Sequence, residues 1–360
     1  MNEMTSLREL GETLDQDLHG PSPALRRTVL ADIGQPPGST RSGRSQTRSG
    51  RTQTRSDRTR VRWGRLGLVG GLVVVLVAAL FATSTLRLWG PSPGASAQAT
   101  DVLRQAAAAA RHQPALTPRP SQFVFIESAG TSAVFEGCCK LTAMPTSLTE
   151  NWLSADGTRA GLQRSWSSSP SDPARPVGKP QGTVLEGCRD GHVVGGKPFY
   201  QVTPAGKKVS RCRPVPAYTR GLPTSASGMR DYLYRTSEGQ NPPDIEAFIH
   251  AGDLLTGSYI PPAAMAAIFE AVTEIPGVTV AQHAVNVVGQ PGIAVQQTFN
   301  GISQQLIFDP RNYVFIGERE VVVSKTPGLH VGQVLDSSAL LGLGVADRPG
   351  QRPATVWAPR

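Results

Sequence analysis

The first 137 residues contain no cysteine, and the whole chain has only four. That scarcity excludes a densely stapled small scaffold, and it excludes an N-terminal zinc module built on thiolates. The six histidines, His19, His112, His192, His250, His283 and His330, share no ligand spacing. No P-loop, no complete G-x-G-x-x-G and no H-E-x-x-H occurs, so the sequence shows no nucleotide-binding or metalloprotease signature. Gly90 to Gly94 spells G-x-S-x-G, but prolines on both sides of Ser92 forbid the strand–turn–helix corner that makes this pattern a nucleophile. Asp231, Glu238, Asp244, Glu246 and Asp253 read as solvated helix faces, and Asp309 and Asn312 as turn formers. The chain is therefore expected not to be an enzyme, with no catalytic, cofactor-binding or metal-binding residues. No cofactor is expected.

Charge is absent from one long stretch, the 21 residues Leu66 to Leu86, bounded by Arg65 and Arg87. A helix of that length spans about 31 Å, close to the roughly 30 Å hydrocarbon core of a bilayer. It is apolar on all sides until Thr83, Ser84 and Thr85, unlike the two-faced helix of a soluble core. Nine Arg lie between Arg41 and Arg65 against one acid, Asp57, while beyond Arg87 the next charge is Asp101. The positive side stays inside, which places the N-terminus in the cytoplasm and residues 87–360 outside the cell membrane. Trp63 and Trp89 bracket the span at headgroup depth. A cleaved signal peptide fits less well, because its apolar core would be about 7–15 residues long.

The formal net charge of +9 does not point to nucleic acid. Residues 1–65 hold 12 Arg against seven acids, and the excess sits next to the span, where anionic lipid explains it. Residues 35–65 form a low-complexity Arg/Ser/Thr linker, expected to be disordered and drawn to lipid. Residues 1–34 form a cytoplasmic helical segment. Leu7, Leu10, Leu14 and Leu18 line one short helix, and Leu25 and Leu30, with Val29 and Ile33, a second. Two such helices cannot bury their apolar faces alone, so the leucines are candidate partner contacts.

All four cysteines, Cys138, Cys139, Cys188 and Cys212, lie in the outside part, as disulfides in an oxidising compartment require. A bridge between neighbours would be strained. Cys138 and Cys139 are each expected to cross to Cys188 or Cys212, closing loops of roughly 50 to 75 residues. Zinc competes weakly, because Cys188 and His192 form a lone C-x3-H fragment near Cys212.

Residues 87–120 read as a juxtamembrane tether and a helix, Asp101 to His112. The outside domain, 121–360, opens with a strand at 122–128 and a hairpin of 150–154 with 159–166. A cysteine-bearing, irregular insertion is expected at 167–218. Three helices follow, at 227–236, 243–255 and 261–275. Strands are expected at 278–282, 293–299, 303–308, 313–323 and 329–335, joined by turns too short for crossovers. The expected fold is α+β: a single transmembrane helix, then an extracytoplasmic domain whose curved antiparallel sheet carries its helices on one face.

Several stretches carry a resemblance: the opening MNEMTSLRELGETLD, the span, 122–128, NWLSADGTRAG at 151–161, EIPGVT at 274–279, LIFDPRNYVFIGERE at 306–320 and SSALLGLGVADRPGQRP. Together they resemble an actinobacterial group of single-pass membrane proteins of unassigned function, often encoded beside an extracytoplasmic-function sigma factor. The resemblance implies an anti-sigma-like role and brings no catalytic residues. It departs from zinc-containing anti-sigma domains, whose H-x3-C-x2-C signature is missing from residues 1–65. Two functions follow as expectations. The first is a membrane-anchored regulator or sensor with a cytoplasmic sigma factor as partner and an unidentified extracytoplasmic ligand. The second is an anchored module that binds lipid or envelope material, with no sigma-factor role. Membrane lipid is a partner in both, and neither contacts nucleic acid directly.

Overall fold

The computed structural model describes residues 94–136, 140–169, 171–197, 200–203, 206–209 and 211–359. The expected leucine-bearing helices, arginine linker and span at 66–86, and Cys138 and Cys139, lie outside that set. Among the described residues no helix is long and apolar enough to cross a membrane.

Helix α1 (Ala97–Arg111) begins before Asp101 because Ser96 caps it, accepting from the Ala99 amide at 3.2 Å. Its alanines let it lie close against a later helix, α4 (Pro262–Val272). Ala99, Ala106 and Ala110 from α1 and Ala264, Ala267 and Ala271 from α4 share one buried cluster. Between them come α2 (Ala226–Thr236), capped by Ser225, and α3 (Pro243–Gly257). Both α3 and α4 start on proline, where a missing amide hydrogen costs nothing.

The strands are β1 (Phe123–Ser132), β2 (Val134–Glu136), β3 (Lys140–Ala143), β4 (Thr146–Ser154), β5 (Gly161–Ser169) and β6 (Asp172–Leu185). Then come β7 (Gly187–Arg189), β8 (His192–Val194), β9 (Tyr200–Thr203) and β10 (Gly206–Val209). The last six are β11 (Thr279–Val285), β12 (Pro291–Phe299), β13 (Ile302–Phe308), β14 (Phe315–Val322), β15 (Val334–Ala346) and β16 (Val356–Trp357). One antiparallel sheet runs β11-β12-β13-β14-β15-β1-β4-β5-β6, with β16 beside β15; β2–β3, β7–β8 and β9–β10 are separate ribbons. The α+β class, the antiparallel meander of β11 to β15, and the hairpin of β4 with β5 all match the sequence reading.

Two expectations need correction. The stretch 167–218, read as irregular, supplies β6, a full edge strand of the main sheet. An edge strand is paired on one side only, so Pro173, Pro176 and Pro180 are tolerated there. The last strand of the meander, β15, runs Val334–Ala346, not 329–335. It lies between β14 and β1, is buried on both faces over most of its length, and so shows no apolar–polar alternation.

The helices cover one face of β12 to β14. Val295, Leu306, Phe308 and Phe315 pack there against Leu103, Met229, Phe248, Ile268 and Phe269. The other face carries Ala284, Ala294, Ile307 and Ile316. Val287 and Val288, from the β11–β12 turn, reach the patch formed by Ala129, Leu148 and Ala339. In a flat sheet those strands would stand about 14–24 Å from β12, so the sheet is strongly coiled. Bulges in several strand pairs supply the bend. Beyond β15 the chain crosses this second face as a strap. Trp152 donates its indole hydrogen to the Gln351 carbonyl at 2.7 Å, and Arg352 sits over the Phe125 ring while pairing with Glu127 and Glu150 at 2.7 Å each.

The β13–β14 turn shows Asp309 as the turn former it was read to be. Its Oδ1 accepts from the Arg311 amide at 2.8 Å, and the guanidinium forks onto both oxygens at 3.1 and 2.7 Å. Arg311 thereby holds the Asp309 carboxyl below its ordinary 3.8, overcoming the upward push of burial. A depressed folded value means stability that is present above 3.8 and lost as the pH falls through the folded value. Hydrogen exchange at the Tyr313 amide, which donates to the Asp309 carbonyl at 2.8 Å, should therefore accelerate below about pH 4. In Asp309→Asn that acid dependence should disappear.

Candidate functional site

A cleft of about 90 Å³ opens between α3 and the helix-covered face of β13, β14 and β15. One wall is apolar, with Ile245, Phe248 and Ile249 from α3 facing Ile302 and Leu306 from β13. The floor is acidic. Strand alternation turns Glu318 and Glu320 to this face, while Arg319 between them bonds Gln305 Oε1 with both Nε and Nη2 on the other face. Register then sets Glu320 opposite both Gln304 and Asp336, and Asp253 closes the rim from α3. Asp336 is buried and accepts a hydrogen bond from the Ser132 hydroxyl.

Gly252 shows how closely the helix approaches. A Cβ there would come within 2.7 Å of Glu318 Oε2 and 3.2 Å of Leu306 Cδ2. Gly252→Ala would improve helix propensity by about 1 kcal/mol in an open helix. Both atoms are far ends of flexible side chains that can turn aside, so part of the gain should survive here and stability should rise by less than about 1 kcal/mol. Thermal unfolding checks the sign.

The acids of the helical region are not uniformly solvated, as the sequence reading had them. Glu246 is buried, and its Oε1 accepts from the Asn241 amide at 2.9 Å and side chain at 2.8 Å, tying the α2–α3 connection to α3. Asp244 accepts from the Tyr234 hydroxyl at 2.6 Å. Burial, then that carboxylate, raises the phenol well above its usual range.

The cysteine pairing also differs. Cys188 bridges Cys212, with Cα atoms 5.8 Å apart and a sequence separation of 24. Neither is therefore left to cross to Cys138 or Cys139. The turn between β7 and β8 brings Gly191 to the Cys212 amide, a 3.2 Å hydrogen bond that seats the second cysteine beside the first. Among the described residues no group of three or more His, Cys, Asp or Glu stands in metal-binding geometry.

No family model matches this chain, and no curated protein does. Among solved structures it is similar to the Pseudomonas aeruginosa MucA/MucB complex, at 12% identity and a TM-score of 0.25, over 73% of this chain and 63% of that one. The chain thus spans under two thirds of the structure it aligns with. A LolA superfamily protein from Nitrosomonas europaea aligns at 8% identity and a TM-score of 0.15, over 73% of this chain and 96% of that one. Both likenesses are too distant to carry a function across.

The cleft acids of the sheet were missed in the sequence. The signal was present: Gly317–Glu320 reads G-E-R-E, and two acids at i and i+2 of a strand share a face.

Proposed function

We propose that the chain is a membrane-anchored regulator. Its outside domain takes a protein segment at the cleft between α3 and β13–β15, and its cytoplasmic leucines, Leu7, Leu10, Leu14, Leu18, Leu25 and Leu30, hold a sigma factor. The observation that supports this over a lipid-binding module is the character of the helix–sheet interface. Pockets for drug-sized ligands run to about 300–1,000 Å³ and are mostly apolar. Here Phe248, Phe269 and Phe308 fill the interface, and what remains is a cleft of about 90 Å³ with four carboxylates on its lining. An acyl chain needs more room than that. An apolar wall beside an acidic floor suits a short protein segment. The Cys188–Cys212 bridge supports an oxidising, extracytoplasmic location for the domain.

The experiment is solvent extraction and mass spectrometry of the full chain, purified in a detergent that is then exchanged. No lipid should remain at one per chain. Stoichiometric lipid, lost on Gly252→Leu in the cleft, would favour the lipid module.

A further inference from the structure

Charge in the outside domain is divided. Residues 156–220 carry 11 Lys and Arg against four acids, while 221–360 carry eight against 12. The disulfide gathers the positive half into a knot. Arg189, Arg211 and Arg213 are each next in sequence to a bridged cysteine, and the two Cα atoms of the bridge are 5.8 Å apart. Arg159 joins them, because Gly187 lies directly against its backbone. All four arginines are exposed, and among the described residues none pairs with an acid. Asp156, the nearest acid in sequence to Arg159, is engaged by the Thr158 amide at 2.9 Å, the Thr158 hydroxyl at 2.7 Å and the Ser154 hydroxyl at 3.0 Å. Arg175, Lys179 and Lys197 are exposed nearby in the chain, the first two on the outer edge strand β6. Val184 and Val215 stand among these cations at 52% and 83% exposure.

Covalently crowded guanidinium groups repel one another, and a surface of opposite charge relieves that repulsion. We infer that this stapled basic face is a docking surface for a bilayer that carries anionic headgroups, so that the outside domain is held to its membrane at a second place besides its anchor. The inference rests on the membrane anchorage of the proposed function. Two observations select a bilayer over a soluble acidic polymer. The expected span ends eight residues before Gly94, a link that reaches about 28 Å when extended. The exposed Val184 and Val215 also suit the interfacial region of a bilayer, where apolar side chains leave water, and gain nothing from a hydrated polyanion.

The test uses the full chain in nanodiscs, with a photo-crosslinking amino acid placed at Val215, and mass spectrometry of the lipid adducts. Discs of phosphatidylglycerol with phosphatidylcholine are compared with discs of phosphatidylcholine alone. Adducts should be about tenfold more abundant in the anionic discs and should fall in high salt. Replacement of Arg189, Arg211 and Arg213 by Gln should reduce them by roughly fivefold per arginine, until they reach the neutral-disc level. The same probe at Val331, outside the insertion, should give no such difference. Equal adducts in both discs would overturn the inference. So would a cross-link to added polyphosphate in neutral discs with none to lipid in anionic ones, which would assign the face to a soluble polyanion. A chain that does not enter the discs would sink the anchorage itself. Entry with equal adducts sinks only the docking surface.

Discussion

Phe308→Ala should destabilise the α+β domain by about 3–5 kcal/mol, the largest loss expected from one side chain here. Phe308 is fully buried and stands where the sheet meets the helices, with its ring 5.2 Å from Phe269 and 6.1 Å from Phe315, both close to edge-on. Truncation removes the apolar area and leaves a cavity between β13 and α4 that neither a paired strand nor a helix held by buried alanines can collapse to fill. Phe308→Leu keeps most of the volume and should cost less than half as much. Denaturant unfolding of the two variants beside the parent checks both the size and the order. A loss below about 1 kcal/mol for the alanine variant would mean that the helices do not pack on this face as described.

The second large effect belongs to the Cys188–Cys212 bridge. It closes a loop of 24 residues in sequence separation, much shorter than the crossed pairings expected from the sequence. For a loop of that length the chain-entropy account gives about 3.5 kcal/mol, as an upper figure. The segment it holds contains short ribbons, β7 with β8 and β9 with β10, and Cys188 is its buried apolar anchor. Cys188→Ser with Cys212→Ser should therefore raise hydrogen exchange in 187–194 and 211–215 while β11 to β15 keep their protection. Thiol labelling of the unfolded, unreduced parent gives the direct control: Cys188 and Cys212 should be blocked until a reductant is added. Labelling of both beforehand would remove the bridge from the account.

Where the sequence was legible, local chemistry and tertiary environment agreed. Proline at the first turn of α3 and α4 marked their starts, Asn300-Gly301 marked the β12–β13 turn with both residues at positive φ, and connections too short for crossover helices fixed the meander. It misled where burial or an edge removed the usual pattern. β15 is buried on both faces and shows no alternation, so its last eleven residues, 336–346, carried no strand signal. β6 reads as coil because its prolines are acceptable only on an edge, and an edge is a property of the sheet and not of the segment. The cleft was hidden for a related reason. Glu318, Glu320 and Asp336 are far from Asp253 in sequence, and they converge only through the register of β14 on β15 and the approach of α3 at Gly252. Glu246 was misread because nothing local distinguishes a first-turn acid that faces solvent from one that binds Asn241.

The measurement that bears most directly on the proposed regulator is capture of a folded extracytoplasmic-function sigma factor from the same genome by the full chain in nanodiscs. The account predicts binding at micromolar or tighter dissociation constant. Leu10→Arg with Leu14→Arg should weaken it by about thirtyfold or more, as the loss of a buried apolar anchor at an interface does. No binding of the folded factor at micromolar protein, or binding unchanged by the two arginines, would contradict it.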